Sequence, residues 1–171
     1  MTGPAGSGKS TLVRQLGRQL GWESVSEDSY WVENGWGSGL RTPEQESVIQ
    51  RQVLEHLLTA CRAGRRVVLE FIVYAEPPNP LTAYRHTLGE DSVSCSVIVL
   101  TASVPELMRR LAARGRPGDL QQMADRRCQA EYQLRVLASV AMRSYPVLDT
   151  TDLSVGKVYQ ASLKRLSRPP G

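Results

Sequence analysis

The residues most suited to chemistry lie at the start of the chain, where glycines surround a lysine and a serine. Residues 3–10 read Gly-Pro-Ala-Gly-Ser-Gly-Lys-Ser and satisfy the pattern G-x-x-x-x-G-K-S/T in full. In such a loop the backbone amides converge on phosphate oxygens, Lys9 reaches the terminal phosphates and the Ser10 hydroxyl ligates Mg²⁺. A glycine-rich turn that binds nothing is the alternative, and the complete pattern disfavours it. The sequence therefore predicts that a nucleoside triphosphate and Mg²⁺ bind through Gly3, Gly6, Ser7, Gly8, Lys9, Ser10 and Thr11.

Asp28 stands directly after the short extended stretch 24–26, at the carboxyl end of a predicted strand. Ligands bind at that edge of open parallel sheets. A carboxylate in this place accepts the proton of an attacking hydroxyl or holds a magnesium-bound water. We therefore predict a catalytic and metal-binding role for Asp28. Glu27 is the neighbouring competitor, and an exposed acid that merely ends a strand is the alternative.

Glu70 is the one charge in the apolar run 67–73, which is typical of a parallel strand covered on both faces. An unpaired carboxylate in that setting costs several kcal/mol by desolvation, so it needs a partner. A magnesium-bound water, Lys9 or a substrate hydroxyl would each serve, and a structural ion pair is the alternative. We predict that Glu70 belongs to the catalytic and metal-binding residues.

Six arginines flank a turn rich in glycine and proline between two predicted helices. Guanidinium groups that close over transferring phosphoryl oxygens neutralise their charge and exclude water. The pattern therefore indicates a lid over about residues 114–127, although ordinary solvated helix charges explain several of the six. The six are Arg109, Arg110, Arg114, Arg116, Arg126 and Arg127.

Strand and helix patterns alternate along the chain and predict the elements that position these residues. Apolar positions at helical spacing predict a helix over 9–20, and the capping box from Thr42 to Gln45 predicts one over 43–63. This alternation predicts an α/β fold with a parallel sheet. The other predicted elements are strands at 67–73, 95–100 and 146–148, a short helix from Pro80 to before Gly89, a helix capped by Ser103 and Glu106, and helices over about 120–138 and from about Ser154.

Only Met1 and Thr2 precede the phosphate loop. Such a loop normally follows a buried central strand of about five residues. A sheet that lacks its central strand leaves backbone donors and acceptors unpaired. We therefore expect that the first strand is missing from this sequence, through truncation or a start codon placed too late, and that the chain as it stands folds poorly.

The composition is that of one ordinary globular domain, with 171 residues, 41% hydrophobic and 22% charged. No apolar stretch is long enough to span a bilayer, so we expect a cytoplasmic protein without membrane contact. Cys61, Cys95 and Cys128 show no disulfide or metal-ligand spacing and are expected to be reduced packing thiols. The net charge of +4 is modest, so nucleic acid is a possible but not a favoured partner.

Three segments resemble small P-loop kinases of the nucleoside and nucleotide kinase superfamily. Residues 26–30, Ser-Glu-Asp-Ser-Tyr, resemble the segment that supplies the acceptor-side aspartate in uridine, nicotinamide riboside and polynucleotide kinases. The strand 67–73 is similar to the strand that carries an acid in uridine and nicotinamide riboside kinases. Residues 114–119 resemble the adenylate kinase lid, which implies ATP as the donor. That resemblance singles out Arg114, Arg116 and Arg127 as ATP-binding residues, with Arg114 also stabilising the transferring group.

The resemblance implies a P-loop NTPase fold, a three-layer α/β/α arrangement with a parallel sheet ordered 2-3-1-4-5, in a single domain over residues 1–171. It implies an ATP-dependent phosphotransferase that acts on a hydroxyl of a small metabolite such as a nucleoside, a sugar-like compound or an antibiotic. Two alternatives are a polynucleotide 5′-hydroxyl kinase and an ATP-binding regulator that transfers no phosphate. The oligomeric state is left open.

One departure from the superfamily concerns the acceptor. Residues 71–74 lack the arginine that follows this strand in nucleoside monophosphate kinases, which favours an uncharged acceptor, although Arg41 or Arg51 would be able to replace it. Aromatic residues would suit a ring-containing or sugar-like acceptor, while core packing explains an individual aromatic side chain equally well. The candidate acceptor walls are Tyr30, Trp31, Trp36 and Tyr74.

Overall fold

The computed structural model of the chain describes residues 1–37, 41–116 and 122–167. Strands and helices follow one another along these residues as an α/β fold requires. They are α1 (Lys9–Leu20), β1 (Glu23–Ser26), α2 (Glu27–Glu33), α3 (Pro43–Arg62), β2 (Val67–Glu70), α4 (Pro80–Glu90), β3 (Val99–Thr101), α5 (Val104–Arg114), α6 (Met123–Leu137), β4 (Val147–Asp149) and α7 (Val155–Leu166).

The strands pair in parallel, β1 with β2 and β3 with β4. Residues 1–2 lie between the two pairs and connect them. The first residue bonds to the β2 side, and the second forms a parallel bridge with the β3 side. The four connecting hydrogen bonds run from Met1 N to Leu69 O (2.7 Å), Phe71 N to Met1 O (3.2 Å), Thr2 N to Ile98 O (3.1 Å) and Leu100 N to Thr2 O (2.8 Å).

Alternate residues around β3 face two different hydrophobic cores. Ile98 and Leu100 pack in one cluster with Leu12 and Leu16 of α1, whereas Val99 packs in the other. The first cluster also includes side chains of α7, and the second includes side chains of α3 and α4. Helices therefore cover both faces of the strands, as the period-two alternation of a buried strand requires.

The helix predictions with clear local signals are confirmed. The helix α1 spans the predicted residues 9–20, and α3 begins at Pro43 as predicted and ends at Arg62. The capping box is present, because Gln45 N donates to Thr42 Oγ1 at 3.3 Å and Thr42 N donates to Gln45 Oε1 at 3.0 Å. Two orphan backbone donors are satisfied in this way, which fixes the start of α3.

Two of the strand predictions, 67–73 and 95–100, are too long, whereas 24–26 and 146–148 agree with β1 and β4 to within one residue at each end. The apolar run 67–73 forms a strand only to Glu70, because β1 ends at the paired residue Ser26. The predicted strand 95–100 is observed as β3, which is three residues long opposite the three residues of β4. The helix α2, directly after β1, was not predicted.

Two further sequence expectations concern the membrane and the thiols. None of the helices in the described ranges has the length and apolar character needed to cross a bilayer. All three cysteines are free; Cys61 and Cys95 are partly buried, as packing thiols would be, whereas Cys128 is exposed.

Candidate active site

The phosphate loop has glycine where its backbone needs it. Gly8 precedes α1 with a φ of 98°, a conformation that residues with a side chain rarely adopt. A Cβ added at Gly3 would lie 2.0 Å from the Leu100 oxygen, so the loop packs directly against β3. Residues 5–12 line a cleft, which places the positive end of the α1 dipole at its surface.

Lys9 lies under this loop and is buried. Its Nζ donates to the oxygens of Gly3 (2.7 Å) and Pro4 (3.0 Å). Burial lowers the pKa of Lys9 to about 8; the charges of Glu70 and Asp28 oppose this shift and that of Arg114 adds to it. The charges of Asp28, Glu70 and Arg114 therefore act on Lys9, and all four predicted residues line one cleft.

The lowered pKa of Lys9 predicts a pH-dependent ATP affinity. Lys9 is half deprotonated near pH 8 in the free protein, whereas bound phosphate favours its charged form, so ATP binding takes up a proton above that pH. We expect the Kd for Mg·ATP to rise by up to about tenfold per pH unit above that value. Calorimetry between neutral and alkaline pH measures this, and adenosine serves as the uncharged control. A Kd that is constant across the range would contradict the prediction.

Ser10 and Glu70, both predicted metal ligands, are brought together by the fold. Ser10 Oγ donates a hydrogen bond of 2.7 Å to Glu70 Oε2. The described ranges contain no group of three or more His, Cys, Asp and Glu side chains that would hold a metal ion by themselves. Mg²⁺ commonly takes one or two protein oxygens and completes its shell with phosphate and water. The pair therefore fits a Mg²⁺ that arrives with a nucleotide.

Asp28 follows the end of β1, as the sequence predicted, and lies in the first turn of α2, which was not predicted. Its side chain is 72% exposed and lines the same cleft as Lys9 and Glu70. Arg41 Nη2 donates to Asp28 Oδ1 at 3.5 Å. An exposed carboxylate beside the phosphate loop has the chemistry of a general base for an acceptor hydroxyl.

Glu27, the alternative candidate for the catalytic acid, points into the core and not into the cleft. Its side chain is buried and accepts a 2.8 Å hydrogen bond from the Tyr84 hydroxyl. Burial raises the pKa of Glu27, which is the usual consequence of desolvating a carboxylate. Glu27 therefore connects α2 to α4 in the core, and Asp28 is the acid of the two that lines the cleft.

The cleft has a volume of about 1120 Å³ and is lined by five arginines around the predicted lid. Arg114 and Arg116 are among them, as predicted, but Arg127 is not; its Nε donates to Glu131 Oε1 at 3.0 Å along α6. Its neighbour Arg126 lines the cleft instead, because adjacent helical residues point about 100° apart. Residues 117–121 of the predicted lid lie outside the described residues. These five are Arg109, Arg110, Arg114, Arg116 and Arg126, and the cleft is also lined by Arg14 and Arg41.

Two of the four candidate aromatic residues line the cleft, namely Trp31 and Tyr74. The Tyr30 hydroxyl bonds to His56 Nδ1, and Trp36 packs against the second hydrophobic core. Arg51, one of the two proposed replacement arginines, lines a separate groove on α3, whereas Arg41 lines the cleft.

Arg110 and Thr150 support the phosphate loop from behind, and the sequence did not predict this pair, which is called the buttress below. Arg110 donates to Gly6 O at 3.3 Å and to Thr150 O at 2.6 Å. Its Nε also donates to Glu106 Oε1 at 2.7 Å, and Arg109 bonds to the same carboxylate, which holds the pKa of Glu106 down at about 2. Ser103 is the N-cap residue of α5, but the predicted capping by the side chains of Ser103 and Glu106 is wrong, since the Ser103 side chain makes no cap bond and Ser103 N donates to Thr151 Oγ1 at 2.9 Å.

Thr150 completes the buttress from the end of β4. Its buried hydroxyl has two acceptors for its one proton, Thr101 O (2.9 Å) and Ser7 O (3.2 Å), and it accepts from Arg110 Nη1 (2.9 Å). The repeated threonines at 150–151 were a weak sequence signal, since nothing local shows that they contact the first residues of the chain. The contacts fix the back of the phosphate loop.

Replacing Thr150 by valine tests the buttress, since valine keeps the shape and removes the hydroxyl. The change leaves buried polar partners unsatisfied, so we expect the free energy of unfolding to fall by about 1–3 kcal/mol. Urea denaturation measures this. Thr59→Val, on the exposed face of α3, is the matched control and should change stability by less than about 0.5 kcal/mol. Equal stability of the two variants would contradict the buttress.

The fold and the site together define a P-loop nucleotide-binding protein of the α/β class. The chain belongs to the AAA domain family, which it matches over residues 1–139. No curated protein matches the chain.

Solved structures share the fold over most of the chain. A sugar kinase from a Janibacter species has a TM-score of 0.66 and 21% identity, covering 96% of this chain and 91% of its own. Shikimate kinase from Acinetobacter baumannii, in complex with shikimate, has a TM-score of 0.63 and 19% identity, covering 96% and 89%. A chain of the Pnkp1/Rnl/Hen1 RNA repair complex has a TM-score of 0.61 and 24% identity, covering 78% and 43%. The predicted resemblance to small P-loop kinases is confirmed at the level of the fold.

Proposed function

We propose that this protein is a kinase that transfers the γ-phosphoryl group of ATP to a hydroxyl of a small metabolite. The observation that carries the proposal is that Lys9, the bonded pair of Ser10 and Glu70, and the exposed carboxylate of Asp28 line one cleft. Nucleotide binding alone accounts for the loop but gives no task to Asp28. The sugar and shikimate kinases that share the fold support a small acceptor.

In the proposed reaction the loop amides and Lys9 hold the triphosphate in line with the acceptor. Ser10 and Glu70 would hold Mg²⁺, which when bound neutralises phosphate charge. Asp28 takes the proton of the acceptor hydroxyl while the hydroxyl oxygen bonds to the γ-phosphorus. The bond between the γ-phosphorus and the ADP oxygen breaks in the same step. Arg114 stabilises the charge on the transferring group. Transfer is direct, without a covalent enzyme intermediate.

We also propose one domain over residues 1–171. Across its sheet the order is β1, β2, residues 1–2, β3 and β4. If residues 1–2 are counted as strand 1, this is the expected order 2-3-1-4-5. The hydrogen bonds that Met1 and Thr2 make to both strand pairs support this order. It places the phosphate loop at the centre of the sheet, with Asp28 and Glu70 on one side of it.

An acceptor screen tests the kinase proposal. Purified protein with Mg·ATP is offered hydroxylated metabolites one at a time, and release of ADP is followed by a coupled assay. We expect release that depends on the acceptor and exceeds the background hydrolysis of ATP. A protein that binds Mg·ATP but releases no additional ADP with any acceptor would instead be a nucleotide-binding regulator.

The alternative acceptor is a polynucleotide 5′-hydroxyl, which the arginine-rich cleft and the similar chain from the RNA repair complex support. Salt separates the two classes of acceptor. Polynucleotide affinity falls steeply with ionic strength because bound cations are released, whereas the affinity of a small acceptor changes little. Phosphorylation of a 5′-hydroxyl oligonucleotide with such a salt dependence would favour the alternative.

A further inference from the structure

Arg41 brings a positioned guanidinium to the part of the cleft next to Asp28. Its Nη2 contacts Asp28 Oδ1 at 3.5 Å, and its guanidinium carbon lies 4.3 Å from the centre of the Trp31 ring. Trp31 is only 2% exposed, so its ring is a fixed platform in the core. Thr42, the next residue, caps α3, which anchors the backbone beside Arg41. Arg41 is therefore held from two sides beside the proposed base.

Among the residues that the structure describes, Arg41 uses only a small part of its hydrogen-bonding capacity. A guanidinium has five N–H donors in a planar fork. Within the described residues, the long contact to Asp28 is the single hydrogen bond of this side chain. The side chain is 33% exposed and lines the cleft. A planar anionic group that offers two oxygens is the complement of such a fork.

The local charges favour a singly charged anion over a doubly charged one. The cleft as a whole is rich in basic side chains, but the charge in contact with Arg41 is the Asp28 carboxylate. Asp28 repels a phosphate monoester bound at Arg41 more strongly than it repels a carboxylate there, because repulsion grows with the charge of the ligand. A carboxylate therefore suits Arg41 better than a phosphate does.

Apolar side chains in the same cleft indicate what else the acceptor carries. Val32 is 68% exposed and Tyr74 is 42% exposed, and both line the cleft with Trp31 and Phe71. Exposed apolar side chains in a concave site are typical of surfaces that pack against the carbon skeleton of a small ligand. The acceptor would thus place a hydrocarbon face here and its hydroxyl toward Asp28.

We propose that the acceptor is a hydroxylated carboxylic acid whose carboxylate is bound by the guanidinium of Arg41. The role of the hydroxyl rests on the proposed kinase function, whereas the binding of the carboxylate by Arg41 does not. It replaces the uncharged acceptor that the missing arginine in residues 71–74 favoured.

Matched acceptors test the proposal through turnover. Each skeleton is offered as acid, neutral alcohol and phosphate ester: D-glycerate, glycerol and glycerol 3-phosphate, then D-gluconate, D-glucitol and glucitol 6-phosphate. We expect the acids to have the highest kcat/KM. Arg41→Met should raise their KM about tenfold to 150-fold with a smaller change in kcat, since a charge-assisted ground-state contact is lost. Arg51→Met, outside the cleft, is the matched control and should leave KM unchanged. Preference for a neutral or phosphorylated acceptor, or an acid preference that survives Arg41→Met, overturns the proposal.

A binding experiment decides the anion site even if no acceptor is turned over. Cyclohexanecarboxylate and cyclohexanecarboxamide are titrated into the protein with Mg·ADP, with tryptophan fluorescence reporting on the Trp31 environment. We expect the acid to bind more tightly than the amide, and Arg41→Met to abolish that difference. Equal binding of acid and amide overturns the anion site. Arg41-dependent binding without any turnover leaves the anion site standing and removes the kinase function.

Discussion

Replacing Lys9 by alanine should weaken Mg·ATP binding by at least about 100-fold, because a charge-assisted contact to the terminal phosphates disappears from a buried position. In the free protein Nζ already donates to two loop carbonyls, Gly3 O and Pro4 O, so the ammonium is aimed at the inside of the loop. Isothermal titration calorimetry measures the loss of affinity. Phosphoryl transfer should be lost with it.

The control must separate lost binding from lost folding. Burial lowers the pKa of Lys9 from its ordinary value to about 8, so at neutral pH the buried charge destabilises the folded state. Lys9→Ala should therefore not unfold at a lower temperature than the wild type. Lys157→Ala, an exposed lysine on α7, should bind Mg·ATP normally. If Lys9→Ala folds and still binds ATP with wild-type affinity, the assignment of the loop is wrong.

The parts of the site that could be predicted from the sequence are those coded by short segments. The phosphate loop is a contiguous pattern whose residue types follow from backbone geometry, and the start of α3 follows from a four-residue box. Glu70 was identified because a charge in an apolar strand needs a partner, and the structure provides Ser10 at 2.7 Å. In these cases local chemistry determines the outcome.

The parts that could not be predicted depend on contacts between distant segments. Arg110 and Thr150 are 40 residues apart, and Thr150 is 143 residues from Ser7, so no local pattern reveals the buttress. The choice between Arg126 and Arg127 depends on the rotation of α6, which the lid resemblance does not fix. The lengths of β2 and β3 were overestimated because the hydrophobic runs 67–73 and 95–100 include residues that find no paired neighbour.

The acceptor side of the cleft likewise combines a feature that the sequence predicted with one that depends on the fold. The residue type and chain position of Asp28 suggested a base, but its exposure and its contact with Arg41 come from the way that α2 starts directly after β1. Glu27, one residue earlier, is turned into the core and bonded to Tyr84. A strand followed by an immediate helix thus separates two adjacent acids into one structural and one cleft-lining group.

Replacing Asp28 by asparagine should lower kcat by about 10²–10⁴-fold, the range typical of a lost general base, while Mg·ATP affinity stays near that of the wild type. Asparagine keeps the size of the side chain but cannot take up the proton of the acceptor. Steady-state kinetics with the best acceptor from the screen measures kcat, and calorimetry measures ATP binding.

The matched control is Glu33→Gln, which neutralises an exposed acid at the other end of α2 and should leave kcat unchanged. If Asp28 instead acts only by holding Arg41 in place, the kinetic pattern differs. The pair is separated by 3.5 Å and is partly exposed, so its loss should change stability little but should leave Arg41 less well positioned for the acceptor. Asp28→Asn would then raise the KM of the acceptor and spare kcat. Near-normal kcat in Asp28→Asn would remove this carboxylate from proton transfer and leave the phosphate loop without its proposed base.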